Sequence, residues 1–220
     1  MESNSFWAER AGVGKQRGRL IVFEGVEGAG KSTHLRQVAG VLRQEGWEVV
    51  ETREPGGTRL GRDIRRLLME VRDDPPGAQA ELFLYLADRA QHVSEVIRPA
   101  LAAGKVVLSD RFSVSTIAYQ GFGRGLDLVR LRSADALARQ GVWPDLILVL
   151  DCPVELGLQR AGRDDRFHRE DLAFHEKVRA GFLQLAREDP HRFVIIDTTE
   201  EPARVSTSIL AAIHRCLQHN

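Results

Sequence analysis

Apolar residues fall in short runs at residues 20–23, 48–51, 106–108, 146–150 and 193–196, and the stretches between them repeat apolar positions at helical spacing. Leu35, Val38, Ala39 and Leu42 stand at i, i+3, i+4 and i+7. Ile64, Leu67, Leu68 and Val71 make a second stripe, and Ile209, Ile213 and Leu217 a third. Short buried runs alternating with amphipathic helices predict an α/β architecture, a five-stranded parallel sheet with helices on both faces. In such a sheet, ligands collect beyond the carboxyl ends of the strands. The first four runs lead into Glu24, Arg53-Glu54, Asp110-Arg111 and Asp151, so polar side chains are expected to converge on that edge. Pro75-Pro76-Gly77 separates two helical stretches, and the chain shows no internal repeat.

Composition narrows the picture. The 220 residues, 43% hydrophobic and 28% charged, suffice for one substantial core. Residues 1–18 read as a flexible N-terminal leader and residues 19–220 as a single domain. Lys plus Arg and Asp plus Glu number 31 each, so no global positive field draws the chain to nucleic acid or an anionic membrane. Cys152 and Cys216 lack metal-ligand spacing and suit a reducing cytoplasm without a disulfide. No apolar run has the length of a signal peptide or a bilayer span.

The candidate chemistry begins directly after the first run. Gly25-Val26-Glu27-Gly28-Ala29-Gly30-Lys31-Ser32 satisfies Gly-x-x-x-x-Gly-Lys-Ser/Thr, and the first amphipathic stripe follows it. Glycines let backbone N–H groups approach a polyphosphate, and the helix N-terminus adds a favourable dipole. Residues Gly25 to Thr33 are therefore expected to hold a nucleoside triphosphate, with Lys31 on the β/γ-phosphates and Ser32 on Mg²⁺.

Arg53 and Arg111 each follow a strand, where planar guanidinium forks can grip a second anion beside the first, which suggests a phosphorylated acceptor. Tyr85 and Arg89 lie four residues apart in a helical stretch. They read either as a base-stacking ring with an edge-reading guanidinium, or as a core tyrosine with an exposed charge. Arg160-Ala161-Gly162-Arg163-Asp164-Asp165-Arg166 interrupts the apolar pattern; it is either a solvated helix end with local ion pairs or a lid that brings arginines over phosphates. Asp110 either holds Mg²⁺ through water or assists at the phosphates, or it is a structural carboxylate that positions its loop.

Four ordered motifs give the chain a family likeness: residues 23–32, Arg53-Glu54-Pro55-Gly56-Gly57-Thr58, Asp110-Arg111-Phe112 and Ser115-Thr116-Ile117-Ala118-Tyr119-Gln120-Gly121. From about Arg19 onward the chain resembles the thymidylate kinase family. The resemblance implies a fold of the P-loop nucleoside monophosphate kinase kind with a small lid at about residues 160–168, transfer of the ATP γ-phosphoryl to dTMP, and a homodimer. It implies that Glu27 accepts a hydrogen bond from the deoxyribose 3′-OH and that Arg53 and Arg111 grip the dTMP phosphate. Tyr85 would stack on thymine, Arg89 face its edge, Thr116 and Gln120 line the base and sugar pocket, and Tyr119 exclude a ribose 2′-OH.

The family divides by whether its catalytic arginine lies in the phosphate loop or in the lid. Gly28 occupies the loop position here, so the resemblance points to the bacterial lid arrangement. Arg163 and Arg166 would then act on the migrating phosphoryl group, beside Lys31, Arg111 and Asp110. His168 departs from the pattern, standing where relatives often have Glu. Another deoxynucleotide or nucleoside kinase of the same fold is the first alternative; a nucleoside acceptor would call for a carboxylate base. A GTP-binding switch is the distant one, and its Asn-Lys-x-Asp motif is absent because asparagine occurs only at Asn4 and Asn220.

Overall fold

The computed structural model describes residues 17–71, 73–162 and 166–218, so the expected leader lies outside the described residues up to residue 16. Strands β1 (Arg19–Glu24), β2 (Val49–Arg53), β3 (Val106–Asp110), β4 (Leu146–Asp151) and β5 (Phe193–Asp197) form one sheet in the order β2-β3-β1-β4-β5. Every pairing is parallel. Each expected run falls on one of these strands, the second starting one residue early, since β2 begins at Val49 rather than Glu48. The strands reach past the apolar residues because a ladder needs only backbone groups: Arg53 is in register with Asp110, and Asp151 with Asp197.

The helices are α1 (Lys31–Gln44), α2 (Arg59–Met69), α3 (Ala78–His92), α4 (Arg98–Ala102), α5 (Ser113–Thr116), α6 (Leu128–Arg139), α7 (Val154–Ala161), α8 (Leu172–Glu188) and α9 (Pro202–Gln218). π-Helical turns extend α3 through Val93–Ile97 and α5 through Ile117–Gly123. The second of these carries Tyr119 and Gln120, and such turns concentrate at functional sites.

Alternation along β1 serves both faces of the sheet. Leu20 and Val22 pack with Val107, Val93, Ile97 and Phe112, whereas Ile21 and Phe23 join Leu35, Val38, Ala39 and Leu42 of α1. The first and third helical stripes are buried in full. The second is not: Ile64 and Leu68 are buried, but Leu67 and Val71 are 39% and 42% exposed, and Val71 lies beyond the end of α2. Helical spacing marks an apolar stripe but not what covers each member of it.

The chain leaves central β1 for β2 on one side and later crosses from β3 to β4 on the other. The crevice this reversal opens lies beyond the carboxyl edge, where the phosphate loop sits. Among the described residues no helix is long and apolar enough to cross a membrane.

Candidate active site

The phosphate loop joins β1 to α1 and is shaped by close backbone approach. Gly25, Gly28 and Gly30 all have positive φ, and a Cβ on Gly25 would stand 2.2 Å from the Leu150 carbonyl oxygen. Lys31 Nζ donates to the carbonyls of Gly25 (3.0 Å) and Val26 (2.6 Å), so its charge is held at the mouth of the loop. Burial, and then the charge of Arg111, bring its pKa down to about 8. Ser32 Oγ donates to Asp110 Oδ2, which joins the first turn of α1 to the end of β3.

Arg111 is the hub of the edge. Its Nη1 donates to the Gly25 carbonyl (3.1 Å) and Ser115 Oγ (2.9 Å), and its Nη2 to Glu27 Oε1 and Tyr119 Oη, both at 3.1 Å. Tyr119 Oη in turn donates to both Glu27 oxygens, at 2.6 and 2.7 Å. Burial disfavours the Glu27 anion, but His175, whose Nδ1 is 3.6 Å away, together with Arg111 and Lys31 holds its carboxyl well below the usual range.

Beneath this hub, fully buried Glu24 accepts from the backbone N–H groups of Phe112 (3.0 Å) and Ser115 (3.2 Å) and from Ser115 Oγ (2.5 Å). Burial outweighs these donors and raises its pKa to about 7. Glu24 thus orders the turn that follows Arg111.

These groups open on a cavity of about 470 Å³, lined by Gly28, Gly30, Lys31 and Ser32 of the phosphate loop and its helix together with Arg53, Tyr85, Arg89, Arg111, Thr116, Tyr119 and Gln120. Arg53 is exposed at the rim. Tyr85 is half-buried beside Phe167, with ring centroids 6.4 Å apart. Arg89 is only 1% exposed and is gripped by Glu54 (2.8 Å) and Asp135 (2.7 Å). Thr116 also lines the cavity, and its buried Oγ1 has no hydrogen-bond partner among the described residues.

The expected lid arginines are Arg163 and Arg166. Arg163 lies outside the described residues. Arg166 does not line the cavity: its Nε donates to the Leu68 carbonyl (3.0 Å) and its Nη2 pairs with Glu81 Oε2. Glu81 draws it there because that carboxylate is fully buried and needs charge around it; Arg124 (3.3 Å) and Gln120 (2.8 Å) also bond it. Arg160, by contrast, lines the cavity and donates to the Thr198 carbonyl (3.0 Å). His168 is a half-buried turn residue that lines the cavity.

Sequence reasoning missed Glu81, Phe167 and His175. Phe167 could have been found as the one apolar residue in a run of charges; its ring meets Tyr119 edge-on at 5.8 Å and lines the cavity. His175 and Glu81 carry no local signal, since each is a polar residue within an ordinary helical pattern.

Known proteins resemble the chain over most of its length. The family model described as thymidylate kinase matches residues 23–209. A thymidylate kinase of Desulfovibrio desulfuricans is 52% identical over 209 residues, which cover 90% of this chain and 96% of the relative. One of Nitratidesulfovibrio vulgaris (strain Miyazaki F) is 51% identical over 208 residues, covering 90% and 97%. The crystal structure of thymidylate kinase from Ehrlichia chaffeensis superposes with a TM-score of 0.76 at 32% identity, covering 90% of this chain and 99% of that one.

Proposed function

The chain belongs to the thymidylate kinase family and phosphorylates dTMP to dTDP with ATP, and we propose that it does so by direct in-line transfer between two anions held on opposite walls of the cavity. The observation that carries this reading is that one cavity is lined both by the phosphate loop with Lys31 and by Arg53 and Arg111. Backbone amides and Lys31 hold the triphosphate. The incoming polyanion favours the charged form of Lys31, opposing the effect of its burial.

Arg111 exchanges its carbonyl and hydroxyl partners for the acceptor phosphate, assisted by Arg53 from the rim. Glu27 then accepts from the 3′-OH, with the Tyr119 ring as the wall beside the sugar. Tyr85 stacks on the base, Arg89 offers the N–H groups that Glu54 and Asp135 leave over to its edge, and Thr116 and Gln120 complete the pocket.

The Ser32 hydroxyl and the Asp110 carboxylate already meet, and this pair of hard oxygen donors suits Mg²⁺, which takes few protein ligands and keeps substrate phosphate oxygens and water. The ion would neutralise charge on the β- and γ-phosphates. Residues 19–220 act as one unit with a lid at about residues 160–168. For Arg166 to reach the migrating phosphoryl group it exchanges Glu81 for phosphate, and Glu81 retains Arg124 and Gln120.

A coupled ADP-release assay over nucleoside monophosphates and nucleosides, with and without Mg²⁺, tests this reading. We expect dTMP to be the best acceptor, thymidine to be inert, and turnover to require the metal. Ribothymidine monophosphate should fall about 100-fold in kcat/KM, since its 2′-OH meets the Tyr119 wall. Equal turnover of thymidine would favour the nucleoside-kinase alternative, and equal turnover of the ribonucleotide would remove the sugar filter.

The working form is a homodimer. Phe83 (64% exposed), Val129 (75%) and Leu137 (80%), with Leu60 and Leu67, stand on α2, α3 and α6, and α3 packs against both of the others. A second copy covers this apolar surface. Phe83→Glu combined with Leu137→Glu should halve the mass measured by sedimentation; a wild-type chain already sedimenting as a monomer would reject the assignment. Free thiols at Cys152 and Cys216 support a cytoplasmic location.

A further inference from the structure

Two polar side chains of α3, Asp88 and His92, are buried beside Arg89 yet have no part in the chemistry above. Four residues apart, they share one face of the helix, and both meet the loop after β2. His92 Nε2 is 2.6 Å from Thr52 Oγ1, and its Nδ1 is 2.8 Å from Glu54 Oε1. The Glu54 carboxylate, whose other oxygen already takes Arg89 Nε (2.9 Å), can only accept from His92. Nδ1 therefore carries a hydrogen toward Glu54, and Nε2 shares a hydrogen bond with the Thr52 hydroxyl.

A single line of hydrogen bonds thus runs from Thr52 through His92, Glu54 and Arg89 to Asp135. The loop is folded directly over it. A Cβ on Gly57 would fall 2.6 Å from His92 Cδ2 and 2.8 Å from Thr52 Oγ1, so the imidazole explains the second glycine of the Arg-Glu-Pro-Gly-Gly-Thr motif. Asp88 ties the same loop by accepting from Gly56 N at 3.0 Å.

We infer that His92 is a positioning residue for base recognition: through Glu54 it fixes the rotamer of Arg89, and so sets the preference for a 4-oxo over a 4-amino pyrimidine. The inference rests on Arg89 facing the base edge, as proposed above. An arginine side chain has many rotamers, and a carboxylate free to turn would not choose among them. A carboxylate with one oxygen pinned by an imidazole presents the other in one direction.

Steady-state kinetics with dTMP and 5-methyl-dCMP, which differ at the 4-position, test this on His92→Leu, His92→Asn, Thr52→Val and Arg89→Gln. His92→Leu should raise the dTMP KM about tenfold with kcat within about twofold, and cut the preference for dTMP about fivefold. His92→Asn, which keeps a donor toward Glu54, should recover most of both. Thr52→Val, nearly isosteric, should raise KM about threefold and keeps the test available should His92→Leu not fold. If Arg89→Gln collapses the preference while the His92 and Thr52 variants leave KM and preference unchanged, the positioning role is overturned. If Arg89→Gln itself leaves the preference intact, the base-edge reading falls, and this inference with it.

Discussion

Arg111→Ala will lower kcat/KM for dTMP by about 10³ while the KM for ATP stays within about threefold. The side chain joins the two halves of the site: it bonds the Gly25 carbonyl of the phosphate loop, Glu27, Ser115 and Tyr119, and its guanidinium lies 5.0 Å from the centre of the Tyr119 ring. Alanine removes the cation proposed to hold the acceptor phosphate and leaves Glu27 with one counter-charge fewer in a buried setting, a double penalty. The backbone is committed as well. Arg111 has φ of 70°, unusual for a residue with a side chain, and is held there by its N–H on the Phe23 carbonyl (2.9 Å) and by Ser109 Oγ on its own carbonyl (2.7 Å). Lysine at this position should still cost about 10², because a point charge cannot serve divergent partners as a planar fork does. Steady-state kinetics in both substrates decide the matter; a dTMP KM and kcat within threefold of wild type in Arg111→Ala would reject the assignment.

Gly28→Ala will cost about 3 kcal/mol or more of stability, lowering Tm by roughly 6–12 °C, and will abolish most activity. A Cβ at this position would stand 1.8 Å from the Gly157 carbonyl oxygen, and the backbone already sits at φ of 66°. The contact is reciprocal, since a Cβ on Gly157 would lie 2.5 Å from the Glu27 carbonyl oxygen. The phosphate loop and α7 therefore meet backbone to backbone, and relief requires the helix to retreat or the loop to tilt. A tilted loop moves Glu27 and Lys31 together. Gly28→Arg, which adds a still larger side chain at the same point, will for the same reason yield no active enzyme with its arginine in the loop. Thermal melts and single-turnover assays check both variants, and an unshifted Tm in Gly28→Ala would refute the packing argument.

Both predictions turn on features of unequal visibility in the chain. The glycines of the phosphate loop announce themselves through spacing, but the reason for Gly28 in particular lies 129 positions later, at Gly157. Arg53 and Arg111 were visible as polar residues ending apolar runs, because a parallel sheet delivers all its carboxyl ends to one edge. Tyr85 and Arg89 stayed ambiguous on periodicity, since helical spacing says which side chains share a face but not whether that face meets solvent, core or cavity.

Hydrophobic periodicity and glycine spacing are local quantities, and what depends on them was readable directly: five parallel strands, the helices that cover them, a phosphate loop after the first strand and a polar carboxyl edge. Partner choice among charges is not local. Arg166 pairs with Glu81 85 positions away, Arg89 with Asp135 46 away, and Thr52 with His92 40 away. A guanidinium in the chain is compatible with many carboxylates, and the low polarity of the folded interior, which forces each buried charge to find a neighbour, selects one of them. For that reason the strands and the phosphate loop could be read from residue order, whereas the seating of Arg166 and the line through His92 came into existence only when distant segments were packed together.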